Sequence, residues 1–217
     1  MIKKQRAYSL FRKMYYPSAL KIVKPYLTEE NQLLQKYLKF NSVKSLICVG
    51  CGPGKYQDIS KKHKLFYVGI DPVINKYFQN QYFPYKNKRS RKILIKDIFE
   101  NVCLDKFDGE IPKPRFWIFT FNVAGYIQDF WDHIKRLSLP DDIFFISVWS
   151  SSRRAKRLRD KYYQFICNNN KIMGETKEFF TKNGHHSLSR FSNIPFNVNA
   201  KIEKTDHCKA IILKVVS

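Results

Sequence analysis

The chain has 217 residues, 44% of them hydrophobic and 27% charged. That is enough for one large domain with a real core, and it excludes disorder over most of the length. Lys and Arg number 40 against 18 Asp and Glu, a formal net charge of +22. A free small-molecule enzyme has no need of such a charge. A polyanion partner, either nucleic acid or an acidic membrane surface, would explain it. A compositional bias toward Lys, shared with Asn, Ile, Phe and Tyr, is the plainer alternative.

The N-terminus, Met1-Ile-Lys-Lys-Gln-Arg6, is basic but leads into no apolar run, so it does not read as a signal peptide. The longest apolar runs, 116–121, 143–149 and 210–216, are strand-length and far short of the roughly 20 residues of a membrane span. Cys48, Cys51, Cys103, Cys167 and Cys208 are scattered, which reads as reduced thiols in an intracellular, cytoplasmic protein.

Residues 1–40 read as a basic helical arm. Lys3, Lys4, Arg6, Arg12, Lys13, Lys21 and Lys24 come without an acid in the first 24 positions. One helix should end near Pro17 and a short segment near Pro25. Thr28 should then cap a helix to about Lys39, with Leu33, Leu34, Tyr37 and Leu38 on one face.

Residues 41–217 read as one domain. Strands are expected at Val43–Val49, Leu65–Ile70, Lys92–Lys96, Phe116–Phe121 and Ile143–Trp149, with Ser151 or Ser152 capping a helix to about Ile166. Near-continuous apolar strands separated by helices predict a Rossmann-like α/β fold: a mostly parallel sheet covered by helices on both faces. The C-terminal third changes character. Segments 178–181, 188–191, 201–204 and 210–216, with a turn at Asn183-Gly184, predict an antiparallel C-terminal edge.

The chemistry concentrates at strand ends. Gly50-x-Gly52-x-Gly54 follows the first strand. Its glycines permit a tight turn and close ligand approach, and the next helix should offer free amides. A dinucleotide fingerprint would need glycine at Lys55. The second strand ends in Asp71-Pro72, where a carboxylate can accept two ribose hydroxyls. The third ends in Asp97, within reach of an adenine amino group. Each acid alone reads as a turn or helix cap. Together they converge on the crevice where doubly wound sheets bind ligands. Cys48-Val-Gly-Cys51 is also formally a C-x-x-C pair, but no second pair with metal spacing accompanies it. His185-His186 and His207-Cys208 read as exposed turn residues, and His133 as an ordinary helix residue.

These motifs resemble those of class I S-adenosylmethionine-dependent methyltransferases. Leu46 through Gly54 looks like the family's first motif and Tyr67-Val-Gly-Ile-Asp71 its second. Lys96-Asp97-Ile98 looks like the third, and Phe119 through Asn122 to Tyr126 the fourth. The resemblance spans about 43–149 and implies S-adenosyl-L-methionine as cofactor. It implies Gly50, Cys51, Gly52, Pro53 and Gly54 around the methionine part, Asp71 with Pro72 at the ribose, and Asp97 with Ile98 at the adenine. Asn122 would lie near the sulfonium, and Asn122 and Tyr126 are the candidate catalytic residues. One departure is Cys48, where the family usually carries an acid. That departure admits a degenerate, inactive basic subunit as an alternative.

The sulfonium methyl is already activated, so the protein's task is alignment and water exclusion. Phe121 or Tyr126 could face the cation. No unambiguous general base is visible. Two acceptors fit. RNA is favoured by the basic helix bearing Arg153, Arg154, Lys156, Arg157, Arg159 and Lys161, with Arg153, Arg154 and Arg157 as the candidate nucleic-acid contacts. Its apolar stripe would be Ala155, Leu158, Tyr162 and Phe165. Lys86, Lys88, Arg89, Arg91 and Lys92 should sit at the opposite rim of the sheet. This region is loosely similar to messenger-RNA cap guanine-N7 methyltransferases, although residues 1–40 lack the Asn- and Lys-bearing element of those enzymes. The other acceptor is a small amine, with a hairpin around 179–191 as lid. A partner subunit that completes the site is a further expectation.

Overall fold

The computed structural model describes residues 17–39, 42–52, 54–72, 92–107, 109–121, 123–169 and 198–216. Pro53, Asn122, the basic helix before Pro17, the Lys86–Arg91 part of the third cluster, the 178–181 and 188–191 strands, the 179–191 lid and the His185-His186 pair lie outside the described residues.

Among the described residues, seven strands form one sheet. They are β1 (Ser45–Val49), β2 (Phe66–Ile70), β3 (Lys92–Ile95), β4 (Arg115–Phe119), β5 (Ile143–Trp149), β6 (Val198–Lys204) and β7 (Cys208–Val215). Their spatial order is β3-β2-β1-β4-β5-β7-β6. The first five are parallel, while β7 runs antiparallel to both β5 and β6. This is the expected Rossmann-like sheet with its antiparallel edge.

Sequence explains why the centre is two-faced. All five residues of β1, of β4 and all seven of β5 are buried, as strands covered on both sides must be. Alternation splits them. Leu46, Cys48, Phe116, Ile118, Phe145 and Trp149 face one apolar cluster, and Ile47, Val49, Trp117, Phe119, Phe144 and Ile146 face the other. The first cluster is covered by α1 (Pro17–Ile22), α2 (Lys24–Lys39) and α5 (Arg153–Asn169). The second is covered by α4 (Phe130–Leu137) and short 3-10 turns; α3 (Gln57–Lys62) follows β1. No helix among the described residues is long and apolar enough to cross a membrane.

Several boundaries differ from expectation. Helix α2 begins at Lys24, not at a Thr28 cap, and Pro25 lies in its first turn instead of ending a segment. Proline is tolerated there because its missing N–H would have no helical partner. Strand β4 stops at Phe119, since Phe121 turns into a left-handed conformation with φ 54°. Strand β6 starts at Val198, before the predicted 201, and β7 at Cys208. Helix α5 is capped as expected, with the Ala155 amide donating to Ser152 Oγ at 2.9 Å.

The two acids side by side on α2 fasten it to different places. Glu29 accepts from the His207 amide at 2.8 Å, the Cys208 amide at 3.2 Å and Thr205 Oγ1, and pairs with His207 Nδ1 at 2.7 Å. His207 and Cys208 are therefore not exposed turn residues. Cys208 is buried and His207 is half-covered by its acid, because the β6–β7 turn folds onto α2. Further along, Tyr37 and Lys36 donate to Glu203 Oε1 at 2.5 and 2.9 Å.

These contacts make the seam acid-sensitive. The Tyr37 hydroxyl first, then the Lys36 ammonium, pull the Glu203 carboxyl down to about 2. Burial would raise Glu29, but hydrogen bonds from Thr205 and His207 outweigh it and hold it below its ordinary value. A carboxyl depressed in the fold stabilises fully above its unfolded value near 4.5 and loses that contribution as pH falls toward its folded value. Amide exchange in β6–β7, corrected for intrinsic rates, should thus be several-fold faster at pH 3 than at pH 6. Equal protection at both would refute the seam's role.

Candidate cofactor site

The strand order reverses direction of growth between β1 and β4, the crevice where open α/β sheets bind ligands. The glycine hairpin stands there. Gly50, Gly52 and Gly54 have φ of 70°, 49° and 98°, which non-glycine residues adopt only with strain. At Gly50 a Cβ would also lie 2.6 Å from Val123 Cγ2, so glycine is required for packing against the β4 loop as well as for the turn. The Gly50 amide donates to Ile70 O at 2.8 Å, laying the hairpin across the end of β2. Gly52 N then donates to Asp71 Oδ2 at 2.8 Å. The acid and the hairpin are therefore in direct contact, and Asp71 is 8% exposed.

Several amides leading into the following helix are taken. Gly54 N and Lys55 N donate to Cys51 O at 3.0 and 2.8 Å, and Gln57 N to Gly54 O at 3.2 Å. The hairpin closes on itself first, and Tyr56 enters α3 with φ 66°.

Asp97 ends up one strand further out. Its Oδ1 accepts from its own following amide, Ile98 N, at 2.8 Å and from Asn101 Nδ2 at 3.1 Å. It thereby shapes the 3-10 turn Phe99–Asn101 while standing at the β3 tip beside β2, where Asp71 N donates to Ile95 O at 3.1 Å. Pro72 follows Asp71 directly. Tyr126 ends a 3-10 turn, and its hydroxyl shares a 2.9 Å hydrogen bond with that of Tyr163 on α5. Burial, then Tyr163, push its pKa well up, so Tyr126 is a neutral hydroxyl and no base. Burial also pushes the Cys48 thiol up to about 12 and the Cys51 thiol well above its usual value. Neither is a thiolate at neutral pH, as redox or zinc chemistry would require.

Sequence reasoning missed a buried carboxylate beside the hairpin. Glu30 on α2 is fully buried. Its Oε1 accepts from Phe121 N at 2.5 Å and from Ser147 Oγ of β5. Its Oε2 accepts from Lys55 Nζ at 3.2 Å and Tyr56 OH at 3.0 Å. Lys55 Nζ also donates to Thr120 Oγ1 at 3.1 Å. One carboxylate thus ties the helix to the hairpin, the β4 tip and β5. The legible signal was its register. Tyr26, Glu30, Leu33, Leu34 and Leu38 are the buried stripe of α2, and an acid on such a stripe is buried only when partnered. The same carboxylate, with Ser147 Oγ at 3.0 Å from Phe121 N, holds Phe121 in its left-handed turn. Around Phe121 gather Tyr26, Trp149 and Tyr162, with ring centroids 5.6, 6.1 and 5.4 Å away.

The candidate nucleic-acid residues lie on α5. Arg153, Arg154 and Arg157 are exposed. Arg154 pairs with Asp206 at 2.5 Å. Arg159, by contrast, is 8% exposed and belongs to the packed side. Lys92 opens β3 and so lies at the rim opposite the hairpin. Burial first, then Lys61, lower its pKa to about 8.

Sheet order and antiparallel edge match the Rossmann-like fold seen in methyltransferases of known structure. The chain is similar to the plantazolicin methyltransferase BpumL in complex with a pentazolic desmethylPZN analog and SAH, at 15% identity, covering 100% of this chain and 96% of that one, with a TM-score of 0.54. It is also similar to an O-methyltransferase family protein from Burkholderia thailandensis, at 12% identity, covering 81% of this chain and 52% of that one, with a TM-score of 0.50. No protein-family model and no curated protein matches the chain.

Proposed function

We propose that the protein is an S-adenosylmethionine-dependent methyltransferase acting on RNA by in-line methyl transfer. The observation that carries the reading is the Asp71–Gly52 bond at the topological switch point. The residues suit the donor chemically. Asp71 offers a carboxylate to ribose hydroxyls, Asp97 and Ile98 flank the adenine side, and the hairpin backbone of Gly50, Cys51, Gly52 and Gly54 lines the amino-acid side. When bound, S-adenosylmethionine supplies an electrophilic methyl on a sulfonium. Phe121, fixed by Glu30 and Ser147, presents an aromatic wall beside that position and excludes water. With Tyr126 held neutral, an acceptor with its own lone pair fits best, and a guanine N7, including that of a messenger-RNA cap, has one.

RNA as acceptor draws on the net charge of +22 and the exposed arginines of α5. The test is a tritiated-methyl transfer assay against capped RNA, uncapped RNA and a metabolite extract. Arg154→Glu with Arg157→Glu should lower RNA methylation at least tenfold and leave S-adenosylhomocysteine affinity unchanged. The exposed Arg154–Asp206 pair contributes little to stability, so the fold should tolerate the change. RNA affinity should also fall steeply with salt. A flat salt response, or label only in the metabolite fraction, would replace RNA by a small amine.

A further inference from the structure

The donor's three parts must lie in line, because ribose joins adenine to the amino acid. Asp71 at the β2 tip fixes the ribose, and Asp97 at the β3 tip marks the adenine side. The amino-acid half therefore runs the other way, toward the tips of β1 and β4. Among the described residues, one cation stands there. Lys55 follows the hairpin directly, and its ammonium meets Thr120 Oγ1 beyond the end of β4 at 3.1 Å.

An ammonium has three protons in tetrahedral array. Among the described residues, Glu30 Oε2 and Thr120 Oγ1 accept two. Tyr56 and Phe121 rings pack 4.8 and 5.9 Å from the nitrogen, restricting it further. The side chain keeps 21% of its surface exposed, while Glu30 is at 0%. The acid is thus out of a ligand's reach, whereas the lysine side chain is partly exposed. Burying a lysine that far without a partner acid would be costly; Glu30 holds the ammonium in one place.

We propose that Lys55 binds the carboxylate of the donor's amino-acid half through its third proton, with Glu30 as the positioning residue that holds the ammonium across the switch point. The proposal rests on the methyl-donor reading above. It gives the hairpin a charged member that its backbone amides, already spent on the turn, do not provide.

Two probes separate the halves of the donor. S-Adenosylhomocysteine carries the amino acid, and 5′-methylthioadenosine lacks it. Calorimetry reads the ratio of the two affinities, which a reduced folded fraction leaves unchanged because both probes meet the same folded protein. The variant Lys55→Met with Glu30→Gln removes the pair without stranding a buried acid. It should weaken S-adenosylhomocysteine by roughly ten- to a hundredfold, the range of one charge-assisted hydrogen bond, and leave methylthioadenosine within about twofold. Lys55→Arg should keep the wild-type ratio. Equal loss of both probes, or none, overturns the proposal. Should the double variant not fold, Lys55→Gln alone decides by the same ratio. Wild-type protein that binds neither probe overturns the donor reading itself, and this proposal with it.

Discussion

Replacing Asp71 with Ala is expected to lower S-adenosylhomocysteine affinity by about a hundredfold, measured by calorimetry. Two hydrogen bonds from ribose to a carboxylate contribute about 1.5 kcal/mol each at the low end of the charged range, and roughly 1.4 kcal/mol is a factor of ten. The substitution also removes the acceptor of Gly52 N, so the hairpin loses its tie to β2. Asp71→Asn separates the two effects. Its amide oxygen can still accept from Gly52, and it should lose only about tenfold, the share of one charge-assisted bond. Wild-type affinity in the Ala variant would sink the assignment of the β2 tip to the ribose.

Glu30→Ala should destabilise the fold strongly, by about 3–5 kcal/mol, as for other buried ion pairs broken from one side. The reason is the number of partners it strands. Lys55 loses its counter-charge, and Phe121 N, Tyr56 OH and Ser147 Oγ lose an acceptor in a region closed to water. The left-handed Phe121 turn would then lack one of the two bonds that hold it, and strain of that kind persists only while its surroundings over-determine it. Urea unfolding of wild type, Glu30→Ala and Glu30→Gln reads this directly. Gln keeps an oxygen for Phe121 and Ser147, and should recover part of the loss. A change below about 1 kcal/mol in the Ala variant would mean that water or rearrangement satisfies the network.

The parallel half of the sheet was readable because each strand is a short apolar run ending in a distinctive residue. Lys92–Ile95 and Ile143–Trp149 fall where the sequence puts them, and the hairpin meets Asp71 as its position after β2 requires. Asp97 shows the limit of such reading. Its place at a strand tip was visible, but its bond to its own following amide depends on a local turn that strand periodicity does not encode. Helix α2 was misjudged at its start because Pro25 looked like a stop and Thr28 like a cap, whereas burial of Val23 and Tyr26 against the sheet extends the helix across both. Glu30 and Lys55 escaped notice because 25 positions separate them. No local pattern links an acid on a helix to a lysine after a glycine turn. Arg115 and Asp142 escaped likewise. They form a buried pair at the opposite rim, with Nε donating to Oδ2 at 2.9 Å and Trp117 Nε1 to the same oxygen at 3.1 Å.

The β5-β7-β6 order has a consequence for how the molecule is made. The ribosome releases β6 before β7, yet of the two it is β7 that pairs with β5. Among the described strands, the nascent sheet has no partner for the outer flank of Ile143–Trp149, nor β6 one to join, until β7 emerges. The loop that Glu29 grips belongs to that same late hairpin, so seating of α2, and with it delivery of Glu30 to Lys55, awaits the final insertion. Synthesis would therefore yield a chain whose nucleotide side is shaped early and whose cationic corner matures last, with an unpaired strand exposed to aggregation in between.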